Sequence, residues 1–309
     1  MLIQLLLFTV GLLLLVKGAD YFVEGGSGLA TRYGVSQATI GFTIIAFGTS
    51  LPEFVVSINA IASGNEGIAL GNVLGSNIAN IALVLAICAI IQPAVFYMSK
   101  NTRTGLIYET FFMITATVIF ALLALRGVLD FISGIVLLTS FFLILWYLWR
   151  RGTSTGTDSD TKSHGNIDIA YTIGGLIAVA IGSQLLLDSA VTIAEFFGIP
   201  SFIIGLSIVA IGTSLPELAT SLVAIIKGNA GISIGNILGS SIFNLLLVMG
   251  TGTLIRPVSI PAFSDILITG LFSLAVIPLL MNKKNLTRCW GALLLVAYSV
   301  YLAFLFGVL

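Results

Sequence analysis

The sequence predicts an all-α membrane protein with ten transmembrane helices, arranged as two inverted-topology repeats of five helices each. Three observations predict this fold. Of the 309 residues, 58% are hydrophobic and only 8% are charged, whereas soluble domains carry about 25% charged residues. Apolar runs of about 20 residues, enough to cross a bilayer core, recur from end to end. The stretch GTSLPE occurs twice inside such runs.

Hydropathy places five predicted spans on each side of one polar stretch. The predicted spans are Leu2–Val23, Ser36–Ala62, Ile68–Pro93, Thr104–Leu125, Val128–Trp149, Ile167–Asp188, Pro200–Ile226, Ile232–Pro257, Ile260–Met281 and Cys289–Gly307. The polar stretch is rich in Gly, Ser and Thr and is too short for a domain. We therefore predict a first repeat over 1–150, a linker over 151–166 and a second repeat over 167–309.

The two halves are copies of one another. Residues 41–80 align with residues 205–244 at a constant offset (212 − 48 = 164), and about 23 of the 40 aligned positions are identical. Shared hydrophobicity alone does not produce such identity, so the chain contains an internal duplication. Because five is an odd number, the second copy crosses the membrane in the opposite sense, as in many secondary transporters.

Charge distribution predicts the orientation and excludes other classes of protein. Lys and Arg concentrate in the loops of one face, and only Arg126 and Arg256 lie in the opposite loops. The positive-inside rule then places the linker in the cytoplasm and both termini outside, in the plasma membrane. The formal net charge is zero, so no basic surface indicates nucleic-acid binding. Cys88 and Cys289 lie far apart and form no metal or redox motif.

The repeated GTSLPE stretches place a carboxylate and a proline within predicted membrane helices, at Gly48–Glu53 and Gly212–Glu217. A proline in a membrane helix is often only a kink, but an intramembrane carboxylate is by default functional, because it costs at least ~2.5–3.5 kcal/mol. Pro52 cannot donate to the Gly48 carbonyl, so the helix must loosen there. Free carbonyl, hydroxyl and carboxylate oxygens are ligands for hard cations such as Ca²⁺ and Na⁺.

A second repeated motif lies one span further on, at Gly71–Asn80 and Gly235–Asn244. Ser76 and Asn80 are one helical turn apart and share a face, as their counterparts do. A glycine- and serine-rich helix by itself is usually a packing seam. The duplication of both motifs at one offset favours a binding site instead, with each repeat supplying about half of the oxygens.

Charge counting indicates which cargo fits. Glu53 and Glu217 are the only acidic residues that we predict at mid-membrane, with no basic residue beside them. Two carboxylates balance one divalent cation, or two or more monovalent cations or protons. The absence of thiolate and imidazole ligands argues against Zn²⁺ and Cu²⁺. Asp20, Glu24 and Asp188 lie near predicted span ends, where we expect solvated interface charges.

With these motifs, the chain resembles the cation/calcium antiporter superfamily, in particular its prokaryotic sodium/calcium exchanger branch. The resemblance covers all ten spans and implies exchange of one Ca²⁺ for about three Na⁺ by alternating access. It implies metal-ligating side chains and backbone carbonyls at Glu53, Glu217, Ser50, Ser214, Thr49, Thr213, Ala46, Ala210, Ser76, Ser240, Asn80 and Asn244. The chain departs from the family pattern at Asn244, where sodium/calcium exchangers often carry Asp, so the coupling stoichiometry stays open.

The sequence therefore predicts an antiporter and not an enzyme, with Ca²⁺ and Na⁺ as transported partners, no cofactor, and function as a monomer. Three alternatives remain. An H⁺- or K⁺-coupled exchanger could use the same scaffold, and a cation channel can also contain broken helices. An intramembrane enzyme fits poorly because the single histidine, His164, lies in the linker and no GxSxG motif is present.

Overall fold

The computed structural model describes residues 2–93, 100–152, 163–198, 212–261, 263–281 and 284–305, and these residues are helical almost throughout. The helices, numbered by the span to which they belong, are α1 Leu2–Tyr33, α2 in two arms Gln37–Thr49 and Leu51–Ala62, α3 Glu66–Ile91, α4 Lys100–Ala124, α5 Phe131–Gly152, α6 Asn166–Phe196, α7 Leu215–Ile226, α8 Ala230–Ile255, α9 Ser264–Leu274 and α10 Lys284–Leu305. A 3₁₀ turn, Ile277–Met281, follows α9.

Seven of the described helices are long and apolar enough to cross a membrane, and the bent α2 adds an eighth. The described parts of α7 and α9 are shorter apolar helices, and residues 200–211 of the seventh predicted span lie outside the described residues. Every predicted span therefore contains a described helix.

Helices α1 and α6 are longer than hydropathy predicts, and they pack antiparallel along their length. The sequence predicted ends at Val23 and Asp188, whereas the helices continue to Tyr33 and Phe196. A Cβ added to Gly11 or Gly18 would lie 2.7 Å from a backbone nitrogen of α6. Close backbone contact of this kind stabilises helix pairs in membranes. It also keeps the more polar ends helical, which hydropathy cannot detect.

Helices α3 and α8, which carry the second repeated motif, form the centre of the molecule. In the most apolar window of α8, 94% of residues are buried, against 72% in α3 and 22% in α1. Each central helix contains a π-helical segment, at Asn80–Leu85 and Phe243–Val248. Single π segments inside α-helices are frequent at functional sites.

A minimal β-ladder qualifies the all-α prediction. Val128–Leu129, before α5, pairs antiparallel with Val258–Ser259, after α8. Two-residue strands leave no periodic signal in a sequence, so the prediction missed them. The ladder joins two loops on the face opposite the linker.

Candidate cation site

The first GTSLPE stretch interrupts α2, and both copies place the glutamate in the first turn of a helix. In α2 the two arms meet at Ser50 and are inclined by 48°. The second arm begins at Leu51, so Pro52 and Glu53 occupy its first turn. Helix α7 begins in the same way at Leu215. The amino end of a helix carries a partial positive charge, which favours a carboxylate at that position.

Both carboxylates are buried in the interior and have free oxygens. Glu53 and Glu217 are each 1% exposed. The Ser50 hydroxyl donates to Oε1 of Glu217 over 3.3 Å. In the described part of the chain, Oε2 of Glu217, both Glu53 oxygens and the Ser214 hydroxyl have no hydrogen-bond partner.

The Ser/Asn faces of α3 and α8 add further unpartnered oxygens. Asn80 and Asn244 are 1% and 0% exposed, and both of their amide groups lack hydrogen-bond partners among the described residues. Each lies in a π segment, and these segments pack against the glutamate helix of the opposite repeat. A buried polar group without a partner costs about 1–3 kcal/mol, so a cluster of such oxygens is suited to binding a cation.

Thr49 connects the two repeats directly. Its hydroxyl lies 2.9 Å from the side-chain oxygen of Asn236 and 3.3 Å from the Ser240 hydroxyl. It also lies 3.3 Å from the Ala46 carbonyl, which accepts the backbone N–H of Ser50 as well. The Ala46 carbonyl thus already has partners within the helix break. Its predicted counterpart, Ala210, lies outside the described residues.

Two asparagines that the sequence analysis did not select hold the glutamate helices in place. The Asn72 amide donates to the Ser57 hydroxyl over 2.9 Å and to the Glu53 carbonyl over 3.3 Å. Asn236 makes the same two contacts to Ser221 and Glu217, over 2.9 and 3.5 Å. Both asparagines belong to the repeated Gly-Asn pair of the second motif, so the duplication itself was the signal that could have found them.

Ser76 and Thr213 lie where the site meets a cavity of about 320 Å³. Ser76 is buried and Thr213 is partly exposed. The remaining walls come from the first turns of α3, from the start of α9 and from α10. The eleven described members of the predicted ligand set thus lie on α2, α3, α7 and α8, at the break in α2 and directly before α7.

Helix α4 also buries a carboxylate, Glu109, that the sequence analysis did not single out. Glu109 is 5% exposed, and its Oε2 has no partner among the described residues. It lies outside both repeated motifs, and a lone acid in an apolar run was a signal present in the sequence. Asp20 and Glu24, expected as solvated charges, both lie within ion-pair distance of Lys227, at 2.6 and 3.4 Å.

The chemistry of the site is that of hard oxygen ligands. Within the described ranges, no three His, Cys, Asp or Glu side chains cluster as a metal site. Carboxylates, amide oxygens and hydroxyls contributed by both repeats match the preference of Ca²⁺ for six to eight oxygens. They do not match the nitrogen and sulfur ligands that soft transition metals select.

Comparison with known proteins decides the family. The profile of the family described as "Sodium/calcium exchanger protein" matches residues 3–150 and 167–307. The chain belongs to the sodium/calcium exchanger family. CaxA of Alkalimonas amylolytica is 38% identical over 99% of this chain and 100% of its own. The sodium/calcium exchanger MaX1 of Methanosarcina acetivorans is 29% identical over 98% of this chain and 99% of its own.

A solved structure of this family has the same fold. The sodium-calcium exchanger NCX_Mj, soaked with 2.5 mM Na⁺ and 0.1 mM Ca²⁺, superimposes with a TM-score of 0.84 at 33% identity. The match covers 97% of this chain and 98% of that one. The prediction of an all-α exchanger fold with ten helices in two inverted repeats is therefore confirmed.

Proposed function

We propose that the protein is a secondary active antiporter that exchanges Ca²⁺ for Na⁺ by alternating access. The observation that carries the proposal is the pair Glu53 and Glu217, one from each repeat, buried with three free carboxylate oxygens between them. In the described part of the chain, no basic side chain lies within ion-pair distance of either carboxylate. A cation is the natural partner of such a pair, because unpaired buried charges are strongly unfavourable.

The names of similar proteins support the choice of cations. MaX1 is named a sodium/calcium exchanger, and NCX_Mj is described as a sodium-calcium exchanger soaked with Na⁺ and Ca²⁺. The oxygen chemistry described above suits both ions. We propose the same two ions as the transported substrates here, and no cofactor is needed for such exchange.

The proposed ligand set is the one that the family resemblance implies, with Glu53 and Glu217 shared by both ions. Asn72 and Asn236 join it as positioning residues, since each fixes a glutamate backbone. Two carboxylates neutralise one Ca²⁺, whereas three Na⁺ leave one positive charge. Exchange at that ratio moves charge across the membrane, and each charge is worth ~2.3 kcal/mol per 100 mV.

We also propose the cellular arrangement. The chain acts as a monomer in the plasma membrane, with both termini outside and the linker, residues 151–166, in the cytoplasm. The basis is the excess of Lys and Arg in the loops on the linker side. Residues 1–150 and 167–309 act as the two halves of the exchanger. Ca²⁺ leaves the cell as Na⁺ enters.

A vesicle assay tests the proposal. Purified protein is reconstituted into liposomes loaded with ⁴⁵Ca²⁺, and an inward Na⁺ gradient is imposed without a pH gradient. We expect Na⁺-dependent ⁴⁵Ca²⁺ release. A membrane potential that is negative inside the vesicles should accelerate it, because three Na⁺ entering for each Ca²⁺ that leaves carry one positive charge inward. Release driven by H⁺ or K⁺ but not by Na⁺ would sink Na⁺ coupling. The comparison of Na⁺ with H⁺ and K⁺ is needed because Asn80 and Asn244 are both amides, and Asn244 departs from the family pattern.

A further inference from the structure

The cavity beside the site has a shallow end and a deep end. Its wall on α3 runs from Gly67, at the start of the helix, to Ser76. Nine residues at 1.5 Å per residue span about 13 Å. The shallow end lies near the first turn of α9 and the last turn of α10, on the face opposite the linker. The deep end lies at Ser76 and Thr213, both predicted ligands.

Asp265 is the charged side chain among the described residues that line this cavity. It lies in the first turn of α9 and is half-buried. In the described part of the chain, no basic side chain lies within ion-pair distance of its carboxylate. The other acid near this end, Glu66, lies 3.5 Å from Arg256. Asp265 therefore keeps an uncompensated negative charge at the shallow end.

The charge has the sign and the position to act on cations. A cleft lined by one sign of charge concentrates counter-ions and raises their association rate. A cavity of about 320 Å³ has room for several water molecules, so an ion can enter before it loses its hydration shell. The next polar oxygens along the α3 wall are those of Asn72 and Ser76, next to the buried glutamates.

We propose that Asp265 collects hydrated cations at the mouth of this cavity and thereby sets the rate at which they reach Ser76 and Thr213 from the face opposite the linker. The inference rests on the proposed function, because it concerns access to the same site. It adds a residue that lies outside both repeated motifs. Its position has no acidic counterpart in the first repeat, where Asn101 stands (265 − 164 = 101).

The sharpest test compares two ions of different charge. The local concentration of a cation depends exponentially on its charge, so the effect on Ca²⁺ should be the square of the effect on Na⁺. For Asp265→Asn at about 20 mM ionic strength, we expect the apparent KM to rise about twofold for Na⁺ and about fourfold for Ca²⁺. Both effects should fade at about 0.5 M choline chloride, because salt screens an exposed charge.

Two control variants distinguish the loss of the charge from structural damage. Asp265→Glu keeps the charge and should behave as the wild type. Asp188→Asn removes an exposed carboxylate of α6 that does not line the cavity and bonds Gln184 over 2.8 Å, and it should leave both KM values unchanged. A change in KM of Asp265→Asn that does not depend on ionic strength, or that is equal for Na⁺ and Ca²⁺, would overturn the proposal. So would unchanged KM values.

A flux measured without Na⁺ distinguishes a failure of the proposed Na⁺ coupling from a failure of the role proposed for Asp265. Ca²⁺–Ca²⁺ self-exchange, measured as ⁴⁵Ca²⁺ uptake into Ca²⁺-loaded vesicles, needs no Na⁺. A wild type that self-exchanges but ignores a Na⁺ gradient would contradict the proposed coupling and would still give a result for Asp265 from the Ca²⁺ arm and its salt dependence. If no flux occurs, the rate of ⁴⁵Ca²⁺ binding to the solubilised protein gives the same comparison.

Discussion

The two copies of the repeated motif share their sequence, yet their glycines differ in exposure: Gly235 and Gly239 of α8 are buried, whereas Gly71 of α3 is exposed and Gly75 is half-buried. In α8, a Cβ at Gly239 would lie 2.6 Å from the Phe42 carbonyl oxygen. The glutamates, in contrast, are equally buried.

The hydroxyls next to the glutamates differ in the same way. Thr49 is fully buried and bonds Asn236 of the opposite repeat, whereas Thr213 is partly exposed and faces the cavity. The carboxylates of the site are thus symmetric in burial, while the packing around them is not. Duplicated sequence determines which oxygens are present, and the surrounding helices determine which of them a cation can reach.

The largest expected effect concerns the two glutamates, which are equally buried in the two repeats. Glu53→Gln and Glu217→Gln should each lower the initial rate of Na⁺-driven ⁴⁵Ca²⁺ release at least about 100-fold, since metal sites tolerate the loss of a charged ligand poorly. Glu109→Gln, the same change at a buried acid outside the motifs, should keep most of the rate. A strong loss in only one of the two motif variants would break the equivalence of the repeats.

The next effect concerns the asymmetric packing. Gly239→Ala should destabilise the protein by about 1–3 kcal/mol, because the added methyl group overlaps the first arm of α2. Gly71→Ala, at an exposed position of α3, should be neutral within about 0.5 kcal/mol. The melting temperatures of the two variants in detergent give the comparison. Equal losses would show that the two glycine seams are packed alike.

A smaller effect should separate the two positioning asparagines. Asn236→Ala removes contacts within its own repeat and also the contact to Thr49, whereas Asn72→Ala removes only contacts within the first repeat. Loss of groups that orient ligands costs about 10–100-fold in affinity, so Asn236→Ala should lie near the upper value and Asn72→Ala near the lower. Apparent Ca²⁺ affinity in the vesicle assay measures both. The reverse order would contradict the cross-repeat role of Thr49.

The smallest effect lies outside the repeated motifs. At the start of α5, the backbone N–H and hydroxyl of Ser133, assisted by Arg126, hold the pKa of Asp130 below its ordinary value. A lowered folded-state pKa means that the contribution is present above the ordinary pKa of about 3.9 and is lost as the pH falls through the folded value. Asp130→Ala should thus lower the melting temperature slightly at pH 7. A difference that persists unchanged at pH 2 would refute this.

The duplicated motifs made most of the site predictable. The offset of 164 between the copies, with five spans in each, predicted two inverted repeats and the pairing of Glu53 with Glu217. The break at Ser50 followed from Pro52, which has no N–H to donate. Asn72 and Asn236 carried the same signal of duplication, and they escaped selection because their role is to hold the glutamate backbones.

Other features depend on contacts between distant parts of the chain. The extension of α1 to Tyr33 depends on its packing against α6, where a Cβ at Gly25 would lie 2.6 Å from the Asp168 carbonyl oxygen. The exposure of Thr213 and the burial of Thr49 cannot follow from two identical hexapeptides. The position of Asp265 at a cavity mouth depends on the packing of three helix ends, namely the starts of α3 and α9 and the last turn of α10.

Calcium binding to the solubilised protein tests the central claim, that one glutamate from each repeat builds a single shared site. Isothermal titration calorimetry without Na⁺ should give one Ca²⁺ per chain. Either Glu53→Gln or Glu217→Gln should abolish this binding, and rising Na⁺ should displace the ion from the wild type. Two Ca²⁺ per chain, or one retained in either single variant, would contradict the account.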